Sequence, residues 1–147
     1  MATARTRSAS KERSLTTRLQ ELVRFRSDRP GDRKLIAARV EKELRALGAR
    51  VERHGGADAP ALLAVFGTGG VLFSGHLDTV PATGHWRTRP GQVRGSRMYG
   101  RGTADMKGGV AAILHAASEL AGKVPFSVAL TTDEETTMDG AKALLKA

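Results

Sequence analysis

Three short segments carry the residue types that do chemistry. They are Ser74-Gly75-His76-Leu77-Asp78, Gly100-Arg101-Gly102-Thr103-Ala104-Asp105-Met106-Lys107-Gly108-Gly109 and Thr132-Asp133-Glu134-Glu135. His76 and Asp105 are 29 residues apart, and Asp105 and Glu135 are 30 apart. One βα or βαβ crossover takes roughly 30 residues. Residues spaced by one crossover can meet at one edge of a sheet, so an imidazole and several carboxylates can share a site.

The chemistry of each segment follows from its donors. A neutral imidazole at His76 can ligate a metal through one nitrogen, while Asp78 holds the proton on the other and fixes the tautomer. The bland alternative is a His that caps a turn and an Asp that starts one. Asp105 lies between glycines that let the backbone pass close to a ligand. Its two oxygens can bridge two cations about 3.5–4 Å apart, or the residue can simply cap a helix. Glu134 and Glu135 follow Asp133 on a backbone that points successive side chains in different directions. One glutamate can bind a metal while the other takes a proton, or the run can be a solvated acidic turn. The chain has no cysteine, so a metal here must use His and carboxylate, which suits zinc, manganese or cobalt. The glycine-rich stretch fits neither phosphate-loop nor dinucleotide spacing.

The elements that must position these groups are readable from periodicity. Residues 1–13 are basic and polar and read as a flexible tail. A cleaved presequence would share that composition. Residues 14–147 read as one domain. Ser14 caps a helix carrying Leu15, Leu19, Leu22, Val23 and Phe25. Asp28–Asp32 reads as a turn. A second helix sets Leu35, Ile36, Val40, Leu44 and Leu47 on one face and ends at Gly48. Strands are predicted at Ala49–Arg53, with His54-Gly55-Gly56 as its exit turn, and at Ala61–Phe66. Val71–Ser74 has the apolar run of a buried central strand. Residues 79–100 predict an irregular excursion with a short hairpin. Asp105 then caps a helix from about Met106 to Leu120 that stops at Gly122. Phe126–Thr131 is another buried strand, and Ala141–Lys146 begins a last helix. The order predicts an α/β sandwich with a mixed sheet.

Composition excludes several classes. The sequence is 40% hydrophobic and 27% charged, which suits a globular chain rather than a disordered one. No apolar run nears the ~20 residues that span a bilayer, and residues 1–14 have no apolar stretch behind their charges, so no secretory signal is expected. The expected setting is therefore cytoplasmic, without a membrane partner. The net charge of +9 invites a nucleic-acid reading, but only six aromatics (four Phe, one Trp, one Tyr) are available to interleave with it. An arginine-rich solvated surface is expected, with no nucleic-acid partner.

From Leu72 to Ala147 the chain resembles the M20 metallopeptidase and amidohydrolase family, which includes acetylornithine deacetylase, succinyl-diaminopimelate desuccinylase, aminoacylase and carboxypeptidase G. Ser74–Pro81, Tyr99–Gly109 and Thr132–Thr136 resemble its three signatures in order. The resemblance implies an α/β/α sandwich of the zinc-dependent exopeptidase type, incomplete here and without the lid domain through which the family often dimerises. It implies two divalent ions, zinc or cobalt with manganese as a further option. His76 would bind one, Asp105 would bridge both, and Glu135 would bind the second. Asp78 would orient His76. Glu134 would be the general base that activates a bridging water and passes the proton to the leaving amine. A cis peptide is expected at Asp105–Met106. The implied substrate is a small N-acylated amino acid, with the acetylornithine deacetylase branch leading. The family also supplies a further acidic ligand and a late His. His54 and His85, read in turns, and His115, read in a helix, do not match that His. The alternative to a hydrolase is a truncated, non-catalytic remnant with weak metal binding.

Overall fold

The computed structural model describes residues 14–83 and 88–146. The expected tail over 1–13 and the expected turn at His85 lie outside the described residues. Two helices open the chain. Helix α1 (Leu15–Val23) starts at Ser14, whose Oγ accepts the Thr17 N–H at 3.1 Å. Helix α2 (Pro30–Ala46) starts inside the segment read as a turn, because Pro30 at the first helical position loses no hydrogen bond and is set for helical φ. Its buried face carries Ile36, Ala37, Val40 and Leu44, while Leu35 is exposed, a correction to the expected stripe. Gly48, at φ +98°, ends the helix as expected.

A four-stranded mixed sheet follows in the order β1-β2-β6-β3. Strands β1 (Arg50–Gly56) and β2 (Ala59–Phe66) form an antiparallel hairpin, so His54–Gly56 belongs to the strand rather than to a turn. Strand β6 (Phe126–Thr131) pairs antiparallel with β2 and parallel with β3 (Val71–His76). A separate hairpin joins β4 (Gln92–Arg94) to β5 (Arg97–Tyr99), where one was expected. Helix α3 (Gly108–Leu120) precedes β6, and α4 (Asp139–Leu144) follows it. Among the described residues no helix is long and apolar enough to cross a membrane.

Alternation along the strands assigns the two sheet faces. Val51, Leu62, Ala64, Phe66, Phe126, Val128 and Leu130 pack with Leu22, Ile36, Val40, Leu44, Val110 and Leu114 of the three long helices. Phe66 and Phe126 stack at 4.2 Å between ring centroids. Full burial of each such side chain contributes about 1.5–3 kcal/mol. On the other face Gly140 of α4 lies against Ala61, completing a thin second helical layer. The result is the expected mixed-sheet α/β/α sandwich.

Strand β3 is not central. Strand β6 pairs on both sides and takes the middle of the sheet, while β3 has one partner among the described residues. Phe73 packs edge-on against Phe126, yet Val71 and Leu72 are 61% and 59% exposed.

Candidate metal centre

The parallel pair β3 and β6 ends in register at His76 and Thr131; the first segment spans the end of β3 and the third begins just after β6. Ligand sites in open α/β sheets lie outside the carboxyl ends of such strands. The Leu77 N–H donates to Thr131 O at 2.8 Å and ties the two exits together. The second segment arrives through a distorted turn, Thr103–Lys107, ahead of α3. Asp105 is extended there, at φ −122° and ψ 107°, and its peptide bond to Met106 is cis, as expected. It does not cap α3, which starts only at Gly108. Gly102 opens this turn at φ +80°, and a Cβ there would lie 2.6 Å from Thr79 Cγ2.

His76 is the hub. Its buried ring places Nε2 at 3.1 Å from Asp105 Oδ1 and 3.9 Å from Glu134 Oε2. Nδ1 faces the Asp78 carbonyl oxygen at 3.1 Å and Asp78 Oδ1 at 3.4 Å. His76, Glu134 and Glu135 each offer a ligand atom, and these atoms lie within 4.8 Å of one another. Asp105 stands outside that triple and joins it through the imidazole. The five residues singled out from sequence thus meet in one place. Asp133 turns away from them. Its buried carboxylate accepts the Gly140 N–H at 3.0 Å and the Thr137 hydroxyl at 2.9 Å, which fixes the turn into α4.

The charge balance explains two perturbed groups. The Asp78 carboxylate beside His76 raises the imidazole to about 9, against the opposing effect of burial and with help from Asp105. Burial pushes the Asp78 carboxyl up, but His76 and the Glu135 and Glu134 amides together hold it below the usual carboxylate range. Those amides donate to Asp78 Oδ2 at 3.0 Å and Oδ1 at 3.2 Å. An imidazole and several carboxylates converging at a strand end form a donor set that fits a borderline-to-hard divalent cation.

Sequence reading missed the groups beneath the site. Ser27, fully buried, donates to Leu77 O at 2.7 Å. Lys107, also fully buried, donates from Nζ to Phe25 O at 2.8 Å. Burial pushes Lys107 down to about 8, against the pull of Asp28, Asp32 and Asp78. Arg33 Nε donates to Ser27 O at 3.2 Å, and its Nη1 lies 3.5 Å from Thr136 Oγ1. The segment after α1 thus braces the first two motif segments, and Arg33 of α2 links it to Thr136 just past the third. The one available signal was a lysine set among glycines beside Asp105.

A sandwich with imidazole and carboxylates beyond the carboxyl ends of two parallel strands is the architecture of α/β zinc-exopeptidase folds. The sequence pattern of peptidase family M20/M25/M40 matches residues 72–147, and the chain belongs to that family. It is 40% identical over 114 residues to the acetylornithine deacetylase of Pasteurella multocida, an alignment covering 70% of this chain and 30% of that protein. It is 39% identical over 134 residues to the succinyl-diaminopimelate desuccinylase of Methylobacterium radiotolerans, covering 79% of this chain and 33% of the relative. Human carnosine dipeptidase 1 superposes with a TM-score of 0.76 at 27% identity, over 90% of this chain and 34% of that one. The chain spans about a third of the length of these relatives.

Proposed function

We propose that these residues form the metal-binding and proton-transfer part of an amide hydrolase acting on a small N-acyl amino acid, with acetylornithine as the leading substrate. One observation carries the reading: His76 Nε2 lies 3.1 Å from Asp105 Oδ1 and 3.9 Å from Glu134 Oε2, and His76, Glu134 and Glu135 each offer a ligand atom within 4.8 Å of the others. His76, Asp105 and Glu135 would hold two divalent ions, zinc or cobalt with manganese as a further option. When bound, such ions polarise a carbonyl and make a coordinated water acidic enough to ionise near neutral pH.

The protein groups then divide the work. The Nδ1–H of His76, held toward Asp78, leaves the Nε2 lone pair facing the carboxylates. Glu134 has the 44% exposed side chain and acts as general base. It takes a proton from the attacking water and delivers it to the amide nitrogen as the C–N bond breaks, releasing a carboxylic acid and a free amine. The named activities of the relatives, deacetylation, desuccinylation and dipeptide cleavage, share amide cleavage and support this class.

A metal-binding chain without turnover is the second reading. It is favoured by ligand count, since each ion would draw on two of these residues where catalytic zinc uses three. The test is N-acetylornithine hydrolysis by the 147-residue chain saturated with zinc or cobalt. Turnover that Glu134→Gln abolishes, with metal still bound, supports the hydrolase. Bound metal with no turnover rules out this chain acting alone as the enzyme.

A further inference from the structure

Several basic side chains are neutralised by ion pairs: Arg18 pairs with Glu43, Arg39 with Glu21 and Glu43, Arg45 and Arg53 with Glu41, and Lys34 with Asp58. Arg24, Arg89 and Arg94 make no ion pair among the described residues, yet all three line one cavity of about 550 Å³. Pro90, Gly91 and Gln92 line it as well, and no acid does among the described residues. That volume lies within the range of small-molecule sites, roughly 300–1,000 Å³.

The frame of the cavity is fixed. Gln20 Nε2 donates to Gly91 O at 3.0 Å and ties the loop before β4 to α1. The Gly91 N–H donates to Tyr99 O at 2.8 Å, and the Gln92 N–H to Arg89 O at 3.0 Å. Arg94 lies over the Tyr99 ring at 5.8 Å from its centroid. Stacking occupies the face of a guanidinium and leaves its in-plane N–H donors available. Three like charges around one cavity repel each other, and a bound anion offsets that repulsion. Guanidinium forks match the geometry of carboxylate and phosphate oxygens.

We propose that the cavity between the end of α1 and the β4–β5 hairpin binds a small, multiply charged oxyanion through Arg24, Arg89 and Arg94. This site shares no residue with the metal centre and stands independently of the proposed activity.

Calorimetric titration of the 147-residue chain, in chelator and about 0.15 M salt, uses pyrophosphate and citrate as probes. One saturable site for either anion is expected, and the tighter probe tells a phosphate ligand from a polycarboxylate. Arg24→Gln and Arg89→Gln should each weaken binding by at least about tenfold. Lys123→Gln removes the same charge elsewhere and should leave it unchanged, as should His76→Ala. Absence of saturable binding by both anions would overturn the proposal. So would equal losses in Lys123→Gln and Arg89→Gln, or single-stranded RNA binding that pyrophosphate does not displace.

Discussion

At Asp78 one buried carboxylate serves two segments. It faces His76 Nδ1 and accepts the backbone N–H groups of Glu134 and Glu135. Asp78→Asn keeps the shape but replaces one acceptor oxygen with a donor, turning an attraction into a clash with one of those amides. Partners of metal-bound histidines typically contribute 10–100-fold to metal affinity. Zinc affinity measured by calorimetry should fall by about that factor in Asp78→Asn, with an unchanged circular dichroism spectrum. The five residues of the cluster were legible because their types are rare in apolar strand exits and their segments resemble the family's signatures; the spacing was misread, since a single crossover joins β3 to β6 and Asp105 lies within it. The second role of Asp78 was not legible, since the amides it binds belong to residues 56 and 57 positions away. Ser27 and Lys107 were hidden for the same reason, reaching partners 50 and 82 residues distant.

Between elements, the brace after α1 sets where the motif segments sit. Ser27→Ala leaves the buried Leu77 carbonyl without that donor, a loss of about 1–3 kcal/mol, measurable by urea denaturation. Helix α2 is tied to β1 in a different way. Glu41 is buried at 9% exposure, with Arg53 Nε at 2.5 Å and Arg45 Nε at 2.9 Å. Burial raises its carboxyl, but Arg53 and Arg45 outweigh this and hold it below the ordinary value of 4.5. A carboxyl with a depressed folded pKa contributes stability above its unfolded pKa and loses it as pH falls through the folded value. Glu41→Gln should therefore be less stable than the wild type at pH 7, and the gap should close as pH drops below 4.5. Thermal melts at several pH values check this. Helical periodicity revealed α1, α2 and α3, and the apolar run revealed β6. The same kind of run misplaced β3, because Val71-Leu72-Phe73 reads as two-sided burial whether or not a second partner strand is present. Pro30 was read as turn chemistry, although it also suits the first position of a helix.

Across the whole molecule, the two sheet edges differ. Edge strand β1 carries Arg50, Glu52 and Arg53, charges that discourage further pairing. Edge strand β3 exposes Val71 and Leu72 beside the first ligand segment. The chain matches about a third of its relatives' length, and its place in the family rests on the sequence match over residues 72–147, which contains the proposed metal centre. Cobalt titration followed by visible absorption tests that centre most directly. The wild-type chain should show saturable binding. His76→Ala and Asp105→Asn should each weaken it by more than about tenfold. Asp58→Asn, at an exposed acid paired with Lys34 in the β1–β2 turn, should bind as the wild type does. A wild-type chain with no saturable spectral change, or a His76→Ala chain that binds cobalt as tightly as the wild type, would contradict the assignment.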